Sequence, residues 1–285
     1  MDRKYTLEQL RQVKGIGEKT IQRIVEQFDE SEYVSRYDPT IHIEPNSLIN
    51  GDMLEVMNGI PDKSVDMILT DLPYGTTACS WDTVINFDKL WEQYNRVIKD
   101  NGAIVLFGSE PFTSKLVLSN IYNYRHKWVW IKQQGVNPMQ ANISPLKKTE
   151  DIVVFSKNKA NFFPIMGKGE PYKGYENDLR TLGEIYGNKT ISKHKNNPTG
   201  ERFPVDTLFF NNIRRGSLHP TQKPVELLEY LIKTYTNEGD VVLDSTMGSG
   251  STCVAAKNTN RKYIGIELDK DYFEIAKERA NGGLF

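Results

Sequence analysis

Four short segments carry residue types that could hold a flat, hydrogen-bonding ring or a nucleoside. The first is Asp71-Leu72-Pro73-Tyr74-Gly75, directly after the apolar run VDMILT. An acid, a rigid proline and an aromatic at a strand end suit a planar ring that bears an amine. The Asp71 carboxylate and the Leu72 carbonyl can both accept from an NH₂ group, and the Tyr74 ring can stack on the ring face. Drawing both N–H bonds toward acceptors frees the nitrogen lone pair from conjugation and makes the amine nucleophilic. The same residues also spell an ordinary turn, since Asp and Pro favour turns.

The second segment is Leu243-Asp244-Ser245-Thr246-Met247-Gly248-Ser249-Gly250-Ser251, a strand that enters a glycine turn and then a helix. Backbone can approach a ligand closely at such a junction. A phosphate-binding P-loop would need a lysine that this loop lacks. A dinucleotide loop would need a glycine or alanine where Cys253 stands. The third is Tyr263-Ile264-Gly265-Ile266-Glu267, whose acid falls 17 residues past Gly250 and could take ribose hydroxyls. The fourth is Gly51-Asp52, where Asp52 could accept from an adenine amine. Either acid could equally be a helix cap or a surface carboxylate.

These segments need strands to present them. Val65–Thr70, Ala103–Phe107, Asp240–Leu243 and Tyr263–Ile266 read as buried strands. Phe87–Lys99 has helical periodicity, and further helices start at Pro224, near Ser251 and at Asp271. Strands alternating with helices imply an α/β fold with a doubly wound, mostly parallel sheet. Ligands of such sheets bind at the carboxyl ends of the strands, where all four segments lie. Residues 133–218 break the rhythm. Rich in Lys, Asn, Gly, Pro and aromatics, they read as one irregular insertion with strand-like pieces at Asp151–Ser156 and Asp206–Phe210.

The 285 residues carry a net charge of −1, but residues 113–223 hold 18 Lys and Arg against 8 Asp and Glu. A basic middle in an acidic frame suits a phosphate-binding face, or a solvated lysine-rich loop. Cys79 and Cys253 form no C-x-x-C pair and the four histidines are scattered, so no metal site is expected. No apolar run approaches the roughly 20 residues that span a bilayer. MDRKYTLEQL lacks a secretory core, so no membrane association and a cytoplasmic location are expected.

With these motifs in view, GDMLEVMNGIPDKSVDMILTDLPYG, SLHPTQKPVELLEYLI, LDSTMGSGST and YIGIELDKDYFEIAKER resemble the β-class amino-methyltransferases of DNA. The resemblance covers about residues 46–285 and implies a Rossmann-like methyltransferase sheet with S-adenosylmethionine as cofactor. On it, Asp71, Leu72, Pro73 and Tyr74 would hold a flipped-out base. Asp244 with Gly248, Ser249 and Gly250 would bind the methionine part of the cofactor, Glu267 its ribose and Asp52 its adenine. HPTQKP would close over the cofactor, with Thr221 and Lys223 near its carboxylate. Residues 133–218 match the target-recognition region.

Residues 1–37 form a separate appendage and linker, and the methyltransferase domain spans 38–285. Around Gly15-Ile16-Gly17 the appendage resembles a helix-hairpin-helix, in which Lys14, Gly15, Gly17 and Lys19 would contact DNA phosphates. The family usually has proline where Leu72 stands and phenylalanine where Thr246 stands. Members of that family with an acid where Asp71 stands mostly modify adenine, so the resemblance implies adenine N6 as the target, the alternative being cytosine N4. The other readings are a homologue that binds DNA with weak catalysis, and methylation of RNA or of a protein amide. Double-stranded DNA is the expected partner. A homodimer and a separate restriction endonuclease are compatible with the reading.

Overall fold

Apolar runs bounded by polar turns lay out the sheet. In Val65–Thr70, Met67 and Leu69 join one buried cluster while Val65 and Ile68 join another. That two-sided burial is expected of a strand covered by helices on both faces. The computed structural model describes residues 42–75, 84–136, 138–173, 179–181, 184–187, 190–192, 196–213, 218–219 and 221–282. The helix-hairpin-helix expected around Lys14, Gly15, Gly17 and Lys19 falls outside the described residues.

In chain order the main elements are β1 (Ser47–Asn50), α1 (Met53–Val56), β2 (Val65–Thr70), α2 (Phe87–Val97), β3 (Ile98–Gly108), α3 (Phe112–Ser119), β4 (Tyr124–Val136) and β5 (Lys147–Phe155). They continue with β6 (Thr207–Phe209), α4 (Val225–Tyr235), β7 (Val241–Asp244), α5 (Ser251–Asn258), β8 (Lys262–Glu267) and α6 (Lys270–Ala280). The strands form one eight-stranded sheet in the order β1-β8-β7-β2-β3-β5-β4-β6. Pairings are parallel except the two made by β5. Helices α2 and α3 cover one face through Leu90, Trp91, Tyr94, Phe112 and Leu116. Helices α4 and α5 cover the other through Leu227, Leu231, Tyr235, Ala255 and Ala256. Among the described residues no helix is long and apolar enough to cross a membrane.

One expectation needs correction. The strand-like piece expected at Asp151–Ser156 is the buried half of β5, which begins earlier, at Lys147, and joins the main sheet, so residues 133–218 are irregular only in part. Strand β5 runs between β3 and β4, with Ile152, Val153, Val154 and Phe155 fully buried. Its pairing with β3, Ile104 opposite Phe155, is a long-range contact that no local pattern announces. The polar start, Lys147-Lys148-Thr149-Glu150-Asp151, disguises it further. Strand β6 then forms the outer edge against β4. The irregular part is the stretch between β5 and β6, which holds two small ribbons, Gly167–Lys168 with Glu201–Arg202 and Leu179–Thr181 with Thr190–Ser192.

The topology fixes where ligands can sit. From β2 the chain moves to β3 on one side, and from β7 it moves to β8 on the other. The boundary of β2 and β7 is therefore the switch point of a doubly wound sheet, where a crevice opens at the carboxyl ends. Because β5 is antiparallel, its amino end with Glu150 reaches the same edge.

Candidate active site

Asp71 follows the last residue of β2, in register with β7 through Met67 opposite Val242 and Ile68 opposite Leu243. Its two carboxylate oxygens are taken by different partners. The Tyr74 hydroxyl donates to Oδ1 at 2.6 Å, and the Lys223 ammonium donates to Oδ2. The same ammonium lies 3.1 Å from Glu150, whose other oxygen is 2.6 Å from Lys132. Asp71, Lys223, Glu150 and Lys132 thus form a chain of alternating charge closed by Tyr74, whose hydroxyl is also 3.2 Å from Glu150. Phe112 stacks on the Tyr74 ring at 4.7 Å, so a base would stack on the opposite face.

The electrostatics follow from burial against pairing. Burial pushes the Asp71 carboxyl above its ordinary range; Lys223 pulls against that and Glu150 adds to it. Burial also acts upward on Glu150, yet Lys223 and Lys132 hold it at about 2. Against burial, Asp71 and Glu150 keep Lys223 above its ordinary value, so it stays a cation. The Tyr74 phenol is driven well up by burial and by both carboxylates and remains a donor. A carboxylate has about four acceptor positions, so Asp71 keeps capacity for an amine after its two bonds are made.

Across the boundary, Asp244 ends β7 with only 4% of its surface exposed. It accepts from Thr70 Oγ1 at 2.7 Å and from the Thr246 amide at 3.2 Å. Burial raises its carboxyl to about 6. Thr246 Oγ1 lies 2.7 Å from Thr70 Oγ1 and donates to the Asp71 carbonyl at 2.9 Å. The Ser245 hydroxyl meets Tyr94 of α2 at 2.6 Å, which fixes the start of the loop.

The glycine turn adopts backbone that side chains resist. Gly248 has φ +53° and Gly250, which caps α5, has φ +77°. A Cβ on Gly250 would meet Ala276 of α6 at 2.9 Å. Arg279 of α6 clamps the turn by donating to the Ser249 carbonyl and to the Ser249 and Ser251 hydroxyls. At the tip of β8, Glu267 accepts from the amides of Gly248 and Asp269, both at 2.8 Å, and burial raises its carboxyl. The Gly51 amide donates to the Glu267 carbonyl at 2.9 Å, which brings Asp52 beside it. Asp52 caps α1 through Leu54 and Glu55, so its capping role is real.

The strap before α4 carries His219 and Thr221. The Thr221 amide donates to His219 Nδ1 at 3.3 Å, so that nitrogen is the acceptor and Nε2 carries the proton. Burial, then Lys223, lowers the imidazole to about 4, and its ring packs edge-on against Tyr272 at 4.2 Å. Lys223 sits between Asp71 and Glu150, whereas the resemblance would put it beside the cofactor carboxylate. The sequence reading missed Glu150, Lys132, Thr70 and Arg279. Glu150 lies in the polar start of its strand, and none of the four gives a local signal.

Two sets of acceptors therefore share one crevice, one around Asp71 and one around Asp244, the glycine turn and Glu267. The second set fits S-adenosylmethionine. A buried carboxylate suits its ammonium, and an acid at a strand tip suits ribose hydroxyls. Fold and site define an S-adenosylmethionine-dependent methyltransferase. The DNA methylase family model matches residues 65–278, and the chain belongs to that family. It is similar to the Type II methyltransferase M.HpaI of Haemophilus parainfluenzae, 31% identical over 81% of this chain and 73% of that one. It is also 28% identical to the DNA adenine methyltransferase YhdJ of Escherichia coli K12, over 83% of each chain. The M1.HpyAVI–SAM complex matches 82% of this chain and 98% of its own, with 29% identity and a TM-score of 0.54. The cofactor is S-adenosylmethionine and the substrate is DNA.

Proposed function

We propose that this methyltransferase modifies the exocyclic N6 amine of adenine in double-stranded DNA. The observation that carries the reading is the acceptor group at the tip of β2, joined through Thr246 to the cofactor-side loop. Rotating a base out of the duplex into this crevice costs a few kcal/mol. There the Asp71 carboxylate and the Leu72 carbonyl accept the two amine hydrogens, while Tyr74 stacks on the ring. Lys223 and Glu150 hold the Asp71 carboxylate in place. Pro73 stiffens the backbone that aims the Leu72 carbonyl.

On this reading Asp244, Gly248, Ser249 and Gly250 hold the methionine part of the cofactor, Glu267 its ribose, Asp52 its adenine, and Thr221 belongs to the strap over it. S-adenosylmethionine supplies an electrophilic methyl group on a sulfonium sulfur. The protein contributes position and lone-pair release, without a covalent link to the base. An acid at position 71 and the similarity to a relative named a DNA adenine methyltransferase support adenine over cytosine. Lys14, Gly15, Gly17 and Lys19 would add phosphate contacts, and residues 133–218 would read the target sequence. A separate restriction endonuclease and a homodimer are both compatible with this reading, and sedimentation tests the homodimer.

The test is methylation of duplex DNA followed by mass identification of the modified nucleoside. N6-methyladenine is expected; N4-methylcytosine would move the assignment to the other amine. Asp71→Ala should bind cofactor normally and lose about a hundredfold to a thousandfold in methyl transfer. Undiminished transfer by that variant removes Asp71 from the reaction.

A further inference from the structure

Thr246 occupies a place that neither half of the site accounts for. It lies on the cofactor-side loop, yet its hydroxyl points across the sheet boundary to the Asp71 carbonyl, 2.9 Å away. Thr70 Oγ1, 2.7 Å from the same hydroxyl, bonds in turn to Asp244. The loop around Thr246 is fixed on both sides. The Ser245 hydroxyl pairs with Tyr94, and the Met247 amide donates to the Ile266 carbonyl at 2.9 Å. Thr70 is itself buried. Thr246 therefore holds its neighbour from a rigid base.

The bond it makes has a specific geometric consequence. The Asp71 carbonyl belongs to the peptide plane that joins Asp71 to Leu72. Pinning that oxygen fixes the rotation of the plane, and the buried Leu72 side chain fixes its far end. The Leu72 carbonyl comes next, and Pro73 limits the backbone beyond it. The direction of both acceptors, the Asp71 side chain and the Leu72 carbonyl, thus depends on a hydroxyl supplied by β7's loop. The phenylalanine expected here from the family resemblance has no hydroxyl to offer.

We infer that Thr246 is a positioning residue that locks the Asp71–Leu72 peptide to the cofactor loop, so that the amine acceptors are aimed before the base arrives. It acts through Asp71 and Leu72 and has no need to touch the base itself. The inference rests on the reading of Asp71 and Leu72 as the amine's acceptors. In place of an aromatic wall for the cofactor, this chain has a tie between its two half-sites.

The test compares Thr246→Val, which keeps the shape and loses the hydroxyl, with Thr246→Ser, which keeps the hydroxyl. Three readouts are needed: cofactor Kd by calorimetry, the single-turnover rate of methyl transfer, and the fluorescence of 2-aminopurine placed at the target position of a DNA duplex. Thr246→Val should keep cofactor Kd within about twofold. Its transfer rate should fall by about tenfold to a hundredfold, because a small misplacement of reacting groups has that effect. Its 2-aminopurine signal, which reports the base held out of the stack, should drop as well. Thr246→Ser should restore both. A Thr246→Val enzyme that transfers at the wild-type rate overturns the inference, as does a loss of cofactor affinity that accounts for the whole effect. Failure of Ser to rescue also overturns it. Asp71→Ala run alongside separates the two levels. If it is inactive while Thr246→Val is normal, only the inference falls. If Asp71→Ala is active, the acceptor reading falls and takes the inference with it.

Discussion

At the scale of single residues, the site is built from carboxylates in opposed circumstances. Glu150 is held ionised by two lysines, while Asp244 lies buried with hydroxyls and an amide as its partners. Burial lifts Asp244 to about 6, against an ordinary 3.8. The folded protein therefore keeps this proton between those values, where the unfolded chain has already lost it. Stability falls as pH rises through that window, and the full cost, on the order of 3 kcal/mol, is present above pH 6. A cofactor ammonium beside the carboxylate would recover much of that cost. Cofactor affinity should thus weaken as pH falls below about 6, by close to tenfold at pH 5 relative to pH 7.5. Titration calorimetry at the two pH values measures this. Asp244→Asn should bind more weakly at both and lose the difference, which separates Asp244 from Glu267. Type and spacing single out Asp71, Tyr74 and Glu267 as candidates, whereas the role expected of Asp244 comes from the family resemblance alone. Glu150 was not legible, because its partners Tyr74 and Lys223 lie 76 and 73 residues away in the chain.

At the scale of elements, legibility tracked how fully a segment is buried by its own neighbours. Strands β2, β3, β7 and β8 are apolar on both faces, and their sequence shows it. Strand β4 was missed because only Trp128 and Trp130 of it are buried and Arg125, Lys127 and Lys132 flank them. Strand β5 was legible only from Asp151 onward, because its start, Lys147-Lys148-Thr149-Glu150, is polar. The glycine turn was the most legible junction, and the structure explains why it tolerates no substitute. Gly250→Ala combines a left-handed φ with a 2.9 Å approach to Ala276, so α6 must move. Gly239 offers the control, since it has φ +84° with nothing within 4 Å of a Cβ. Gly239→Ala should cost about 1 kcal/mol from backbone alone and lower Tm by roughly 2–4 °C. Gly250→Ala should lower it by about twice that and weaken cofactor binding as well, whereas Gly239→Ala should leave binding unchanged. Scanning calorimetry with and without cofactor reads both effects.

At the scale of the whole molecule, charge is sorted by segment: the chain is nearly neutral, yet residues 113–223 carry a surplus of ten positive charges. Strands β4 and β5 lie in that range and end or begin at the edge where Asp71 sits, so part of the basic segment borders the crevice. A duplex bound there displaces counterions, and the logarithm of its affinity should fall linearly with the logarithm of salt. Cofactor affinity, which depends on buried groups, should change little over the same range. The proposed phosphate contacts of the N-terminal segment can be tested separately. If Lys14 and Lys19 touch phosphates, the double variant Lys14→Ala/Lys19→Ala should weaken DNA binding alike on specific and unrelated sequences. Its salt slope should shrink by about two, one for each lost contact. The modified nucleoside and the methylated site should stay the same, because phosphate contacts carry no base information. Fluorescence anisotropy at several salt concentrations gives the slopes. An unchanged slope would make the hairpin a packing element, and a changed methylation site would make it part of sequence reading.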